Sequence, residues 1–151
     1  MSGSTYRKII VEGESVRKEK TCSVAVKPGH LLERVSDDTV KPHATTGGLA
    51  ELLFAVENDL EGETIDDTYA ISDIVQFNAV RPGDVVLVWI ADGEDIAIGD
   101  KLASNGDGDF KEHGDSGDES AGFLLVALEA KDMSGSAGAD PADRRIIAEV
   151  A

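Results

Sequence analysis

Asp73-Ile74-Val75-Gln76-Phe77-Asn78-Ala79-Val80, then Arg81-Pro82-Gly83-Asp84, then Val85-Val86-Leu87-Val88-Trp89-Ile90: the reading of this stretch decides the fold class. In its first part Val75, Phe77 and Ala79 fall on one face and Gln76 and Asn78 on the other, the period of two of a half-buried strand. The last part is an unbroken β-branched and aromatic run, suited to a buried strand. Pro82 and Gly83 between them are turn residues, so the two strands are expected to pair as a hairpin.

The same rhythm of short apolar runs and turn residues continues in both directions. Downstream, Asp92-Gly93 turns the chain, Ile96 and Ile98 alternate before Gly99-Asp100, and Lys101-Leu102-Ala103 leads into Asn105-Gly106-Asp107-Gly108. Residues 122–130 and 144–150 are the closing strands. Upstream, Leu31-Leu32-Glu33-Arg34-Val35 and Leu52-Leu53-Phe54-Ala55-Val56 are strand candidates, although residues 49–54 fit a helical turn equally well. Strands separated by turns at about ten-residue spacing imply an all-β barrel or sandwich with at most short helical turns. The acidic Gly/Ser stretch 114–120 and the small polar stretch 134–141 have too little apolar surface to pack and are expected to be exposed loops.

The chain has 151 residues, about what one domain needs to bury a core. The expected division is an extended N-terminal arm over residues 1–20 and a single β domain over 21–151. The arm combines the strand-like Tyr6-Arg7-Lys8-Ile9-Ile10-Val11 with the cations Arg17, Lys18 and Lys20. Such a basic segment on an acidic chain is expected to meet an acidic or mixed partner surface.

Fourteen basic and 30 acidic residues give a formal charge of −16. A surface of that sign repels nucleic-acid phosphates and anionic lipid heads, so neither nucleic acid nor membrane is an expected partner. It would be screened in molar salt, which points to a saline host. No apolar stretch approaches a membrane span, and Met1-Ser2-Gly3-Ser4 lacks the opening of a signal peptide, so synthesis in the host cytoplasm is expected. Cys22 is the only cysteine; it excludes an internal disulfide and is expected to be a small buried side chain.

The pattern of chemistry-bearing residues implies no catalytic, cofactor or metal site. His30, His43 and His113 lack the spacing of a metal pair, and neither a nucleophile elbow nor a phosphate loop is present. Asn105-x-Asp107-x-Asp109 begins like a calcium loop, yet Phe110 stands where that loop needs glycine and Glu119 falls too late for the last ligand. Adjacent acids such as Asp37-Asp38, Asp66-Asp67 and Asp118-Glu119 read as solvated turns. Trp89, inside its apolar run, reads as core.

An ordered series of motifs resembles the capsid decoration and cement proteins of tailed viruses. It runs through Lys27-Pro28-Gly29-His30-Leu31-Leu32-Glu33, Val40 and His43 before Gly47-Gly48, and Leu53-Phe54-Ala55-Val56-Glu57-Asn58. It continues with Gly62, Ile65-Asp66-Asp67-x-Tyr69, Pro82-Gly83-Asp84-Val85-Val86 and Ile96-Ala97-Ile98-Gly99-Asp100-Lys101-Leu102, and closes with residues 122–130 and 145–150. The resemblance implies a compact β-tulip or partly open barrel, without enzymatic activity or cofactor. It further implies a homotrimer on capsid three-fold and quasi-three-fold positions, on the outer surface of the virion, cementing the major capsid protein against internal DNA pressure. In such families an N-terminal arm pairs with capsid strands, and Tyr6 to Val11 with Arg17, Lys18 and Lys20 would fill that role here. Residues 83–102 are also similar to the half-barrels of biotinyl and lipoyl carriers, but the comparable turn, Ala91-Asp92-Gly93-Glu94, has no lysine to carry the group. A ligand-binding or other β-barrel interaction domain is a further alternative.

Overall fold

Two short apolar runs explain how the chain is organised. In Leu31-Leu32 and in Leu53-Phe54-Ala55 every side chain is buried, so successive residues, which point to opposite faces of a strand, must each find a core. They find two. Leu32, Leu53 and Ala55 join Cys22, Val40, Val75 and Phe77 in one cluster, whereas Leu31 and Phe54 join Val86, Val88, Phe110 and Ile146 in another. The same two strands therefore wall both cores.

The computed structural model describes residues 8–48, 50–114, 123–133 and 145–151. Its strands are β1 (Ile10–Glu12), β2 (Val16–Cys22), β3 (Leu31–Ser36), β4 (Thr39–Pro42), β5 (Leu53–Ala55), β6 (Ile74–Ala79), β7 (Val85–Trp89), β8 (Asp95–Ile96), β9 (Lys101–Ser104), β10 (Phe110–Glu112), β11 (Leu125–Ala127), β12 (Lys131–Asp132) and β13 (Arg145–Val150), with one 3-10 turn at Asp59–Glu61. The fold is all-β, as expected. Strands β2-β4-β3-β5-β6 close a barrel, where a partly open one was among the expectations. A six-stranded sheet runs β1-β7-β13-β11-β9-β10, and β12 pairs with β8. That larger sheet also curls, because Ile90 bridges Phe110 and the Ala91 N–H donates to the Phe110 carbonyl at 2.8 Å. The helical alternative at 49–54 gives way to strand β5; Leu49 itself lies outside the described residues. Of the two expected loops, residues 115–120 and 134–141 lie outside them too.

The hairpin expected across Arg81-Pro82-Gly83-Asp84 does not form. Strand β6 pairs with β2 and β5, whereas β7 pairs with β1 and β13. All five side chains of β7 are buried, so both of its faces need cover and it takes a central place in the larger sheet. The turn redirects the chain from one sheet to the other. Asp84 N–H donates to Arg81 O at 3.0 Å, and the C-terminal strand holds the turn through Gly83 N–H to Val150 O and Val150 N–H to Asp84 O, both at 2.9 Å.

The expected extended arm is likewise corrected from Ile9 to Lys20. Ile9 is fully buried, its carbonyl accepts from Leu87 N–H at 2.7 Å, and Ile10 pairs with Val86. Strand β2 lies antiparallel to β6 from Val16↔Ala79 to Thr21↔Ile74 and forms part of the barrel wall. The four consecutive charges of Val16-Arg17-Lys18-Glu19-Lys20 hide this role, since the strand contributes backbone pairing and shows most of its side chains to solvent. Between β1 and β2 the chain reverses at Gly13 (φ 120°), where a Cβ would overlap the Asp84 carboxylate. Tyr6 and Arg7 lie outside the described residues.

In the barrel core, Tyr69 Oη donates to Val56 O at 2.6 Å, and burial pushes its pKa up to about 12. Above pH 10, the ordinary phenol value, the unfolded chain releases this proton while the folded chain keeps it. The stability linked to Tyr69 is therefore complete below that pH and is lost as pH rises through about 12. The urea midpoint of the native protein should fall more steeply between about pH 10 and pH 12 than that of Tyr69→Phe. Parallel declines would refute the assignment.

Candidate interaction surface

The three histidines and the calcium-like loop each pack into the fold, while Asp118 and Glu119 lie outside the described residues. His43 Nδ1 lies 2.7 Å from Ser104 Oγ, but both side chains are buried and Ser104 Oγ also accepts from Gly106 N–H, so this serine is shut away from any substrate. His30 Nδ1 accepts from Lys27 N–H at 3.2 Å, while its Nε2 meets Asp109 Oδ1 at 3.2 Å. His113 packs edge-on against Phe123. In the calcium-like loop, Asp107 accepts from Asn105 Nδ2 and from Asp109 N–H, and Asp109 turns to His30, so the carboxylates do not converge. Gly108 (φ 88°) lets this loop lie against the barrel, where a Cβ would sit 3.0 Å from both His30 and Pro42. Among the described residues no group of three or more His, Cys, Asp or Glu could hold a metal ion.

Cys22 is buried, and burial pushes its thiol pKa up, which keeps the unreactive thiol form that donates to Ala70 O at 3.1 Å. Trp89 is core, with its Nε1 donating to Pro28 O at 2.8 Å. Two cations lie over its ring, Lys27 Nζ and the Arg145 guanidinium, each 4.9 Å from the ring centroid. Arg145, almost wholly buried at the start of β13, donates to Ile65 O at 2.8 Å and to Asp66 Oδ1 at 2.7 Å. Sequence reading missed this anchor. The one local signal was a charged residue opening the apolar run Ile146-Ile147-Ala148 of the closing strand.

The residues singled out near the N-terminus separate into three groups. Ile9 is core, and Ile10 and Val11 pack half-buried against it. Lys8, Ile10 and Arg17 come together with Val56, Glu57, Asp59 and Asn78 around a shallow hollow of about 150 Å³. There Arg17 pairs with Asp59 at 2.9 Å and donates to Gln76 at 3.2 Å. Lys18 and Lys20 project from β2, and the Lys20 ammonium reaches the Asp37 carbonyl.

Strand β2 also has an open edge. Cys22 N–H bonds towards the β6 side, to Asp73 O, whereas Thr21 N–H and Ser23 N–H bond towards the β4 side, to Asp38 O and Val40 O. The alternation of an antiparallel ladder then turns the backbone groups of Arg17 and Glu19 towards β4. Strand β4 pairs only at Thr21 and Cys22, so among the described residues that edge has no neighbour from Val16 to Lys20. Charged side chains along it guard against pairing with other chains.

No protein-family model matches this sequence, and no curated protein matches it. Among solved structures, the N base of the head fiber gp8.5 of bacteriophage phi29 is similar, with a TM-score of 0.58 and 16% sequence identity, covering 91% of this chain and 95% of that one. At that identity, what the two chains share is the fold, over almost the whole length of both.

Proposed function

We propose that this chain is a structural virion protein that decorates the outer surface of a tailed-virus head and cements neighbouring major capsid proteins. The observation that carries the reading is the end-to-end likeness to the base of a phage head fiber. The chemistry fits the role. A net charge of −16 repels DNA and suits the outside of a filled head better than its lumen. Excess acid also suits assembly in a saline host, where it is screened. A protein that binds the assembled shell better than free subunits stabilises that shell by mass action, without any catalytic group.

In this reading three copies sit on each three-fold or quasi-three-fold position, and the cations that the N-terminal segment carries outside the core, Lys8, Arg17, Lys18 and Lys20, contribute to capsid contact. Quantitative proteomics of washed, purified virions should find the chain in fixed ratio to the major capsid protein, and heads lacking it should release DNA at lower temperature. Its absence from washed particles would refute the proposal.

A further inference from the structure

Ala70-Ile71-Ser72-Asp73 is a tight corner closed by Asp73 N–H to Ala70 O at 3.0 Å, with the Asp73 carboxylate accepting back from Ala70 N–H at 2.8 Å. Ser72 has φ 74°, the left-handed conformation that the third position of a type II turn demands and that glycine usually supplies. Its N–H is tied to Cys22 O at 2.9 Å. Several bonds thus hold a strained backbone, and the side chain they present at the second position is Ile71, 65% exposed.

Three more apolar side chains lie around this corner. Segments 22–26 and 69–73 run antiparallel through the Val26–Tyr69 bridge, which sets Val24 opposite Ile71. Ile74 follows on β6, and Leu60 stands on the 3-10 turn beside Glu61. These are four of the eight large apolar side chains exposed among the described residues, and the segments that carry them, 22–26, 58–63 and 69–74, meet there. Scattered singly they would need no explanation; grouped, they mark a contact surface. Glu61, Glu63 and Asp73 border Ile74 around a hollow of about 240 Å³.

We propose that this corner is an apolar knob with an acidic rim that docks into an apolar hollow ringed by lysine or arginine on a different protein. The rim decides the occupant. A second copy would bring the same carboxylates face to face, on a chain already at −16, whereas a basic surface neutralises them. Rigid presentation of Ile71 lowers the ordering entropy lost on docking. If the chain decorates heads, the hollow belongs to the capsid; that identification alone rests on the function proposed above.

The test uses Ile71→Asn combined with Ile74→Thr, neutral polar replacements at two exposed positions that leave the acidic rim's charge unchanged and should leave melting unaltered. Methyl NMR titration with a synthetic peptide alternating leucine and lysine should shift Val24, Leu60, Ile71 and Ile74, and the double variant should bind at least about tenfold more weakly. Equal binding of a leucine–glutamate peptide, shifts mapping elsewhere, or no binding of the lysine peptide overturns the proposal. Heads stripped of the protein should rebind the native chain and not the variant. Equal rebinding of both overturns the docking face and leaves decoration standing. Failure of the native chain to rebind while the peptide result holds removes decoration and leaves the docking face. A native oligomer that the variant dissolves in sedimentation would assign the knob to a second copy instead.

Discussion

Deletion of residues 2–20 is expected to abolish cooperative folding, because the segment is part of both cores' walls. Ile9 is fully buried against the larger sheet, and full burial of such a side chain is worth about 1.5–3 kcal/mol. Ile10 and Val11 add partial burial, and β1 covers one edge of the fully buried β7. Loss of most of β2 strips one edge of β6 from Val75 to Ala79, leaving it only β5 on the other, and each backbone hydrogen bond lost there costs about 0.5–1.5 kcal/mol. It also opens the barrel wall beside Val75 and Phe77, both fully buried in the intact chain. Together these losses exceed about 5 kcal/mol, the scale of a whole domain's stability. Thermal melting by circular dichroism should show no cooperative transition for the truncated chain. A transition within a few degrees of the native one would mean that the first twenty residues act as a detachable arm.

Phe54→Ala is expected to destabilise both sheets at once, by about 3–5 kcal/mol. Phe54 is fully buried on β5, the strand walling both cores, and stacks on Phe110 of the larger sheet with ring centroids 5.9 Å apart. Its neighbours Leu53 and Ala55 point the other way, into the barrel. Truncating the ring leaves a cavity exactly where the two units lean on each other, so neither can relax independently to fill it. For a chain of this length the melting temperature should fall by about 6–20 °C. Trp89 fluorescence, which reports the larger sheet, and far-ultraviolet circular dichroism should lose their signals together. Separate transitions would show that the cores fold independently, and a fall of only a degree or two would remove Phe54 from the join.

The β class and several strands were legible in the sequence because they depend on local pattern. Period two marks β6, the β-branched run marks β7, and the apolar stretches at 31–35, 52–56 and 144–150 each coincide with a strand. Cys22 and Trp89 were readable as buried for the same reason: each sits inside an apolar run. Partner choice was not legible. An Arg-Pro-Gly-Asp turn has the same composition whether it closes a hairpin or carries the chain into another sheet, and what decides is that both edges of β7 are taken by β1 and β13, strands distant in the chain. Val16-Arg17-Lys18-Glu19-Lys20 reads as a solvated segment because its side chains are exposed, while its structural contribution lies in backbone groups identical in every sequence. Arg145 as a buried anchor, and the Ile71 corner with its acidic rim, exist only once residues far apart in the chain are neighbours. Local periodicity thus determined which segments are strands. Long-range burial determined which strands meet, and so where every surface lies.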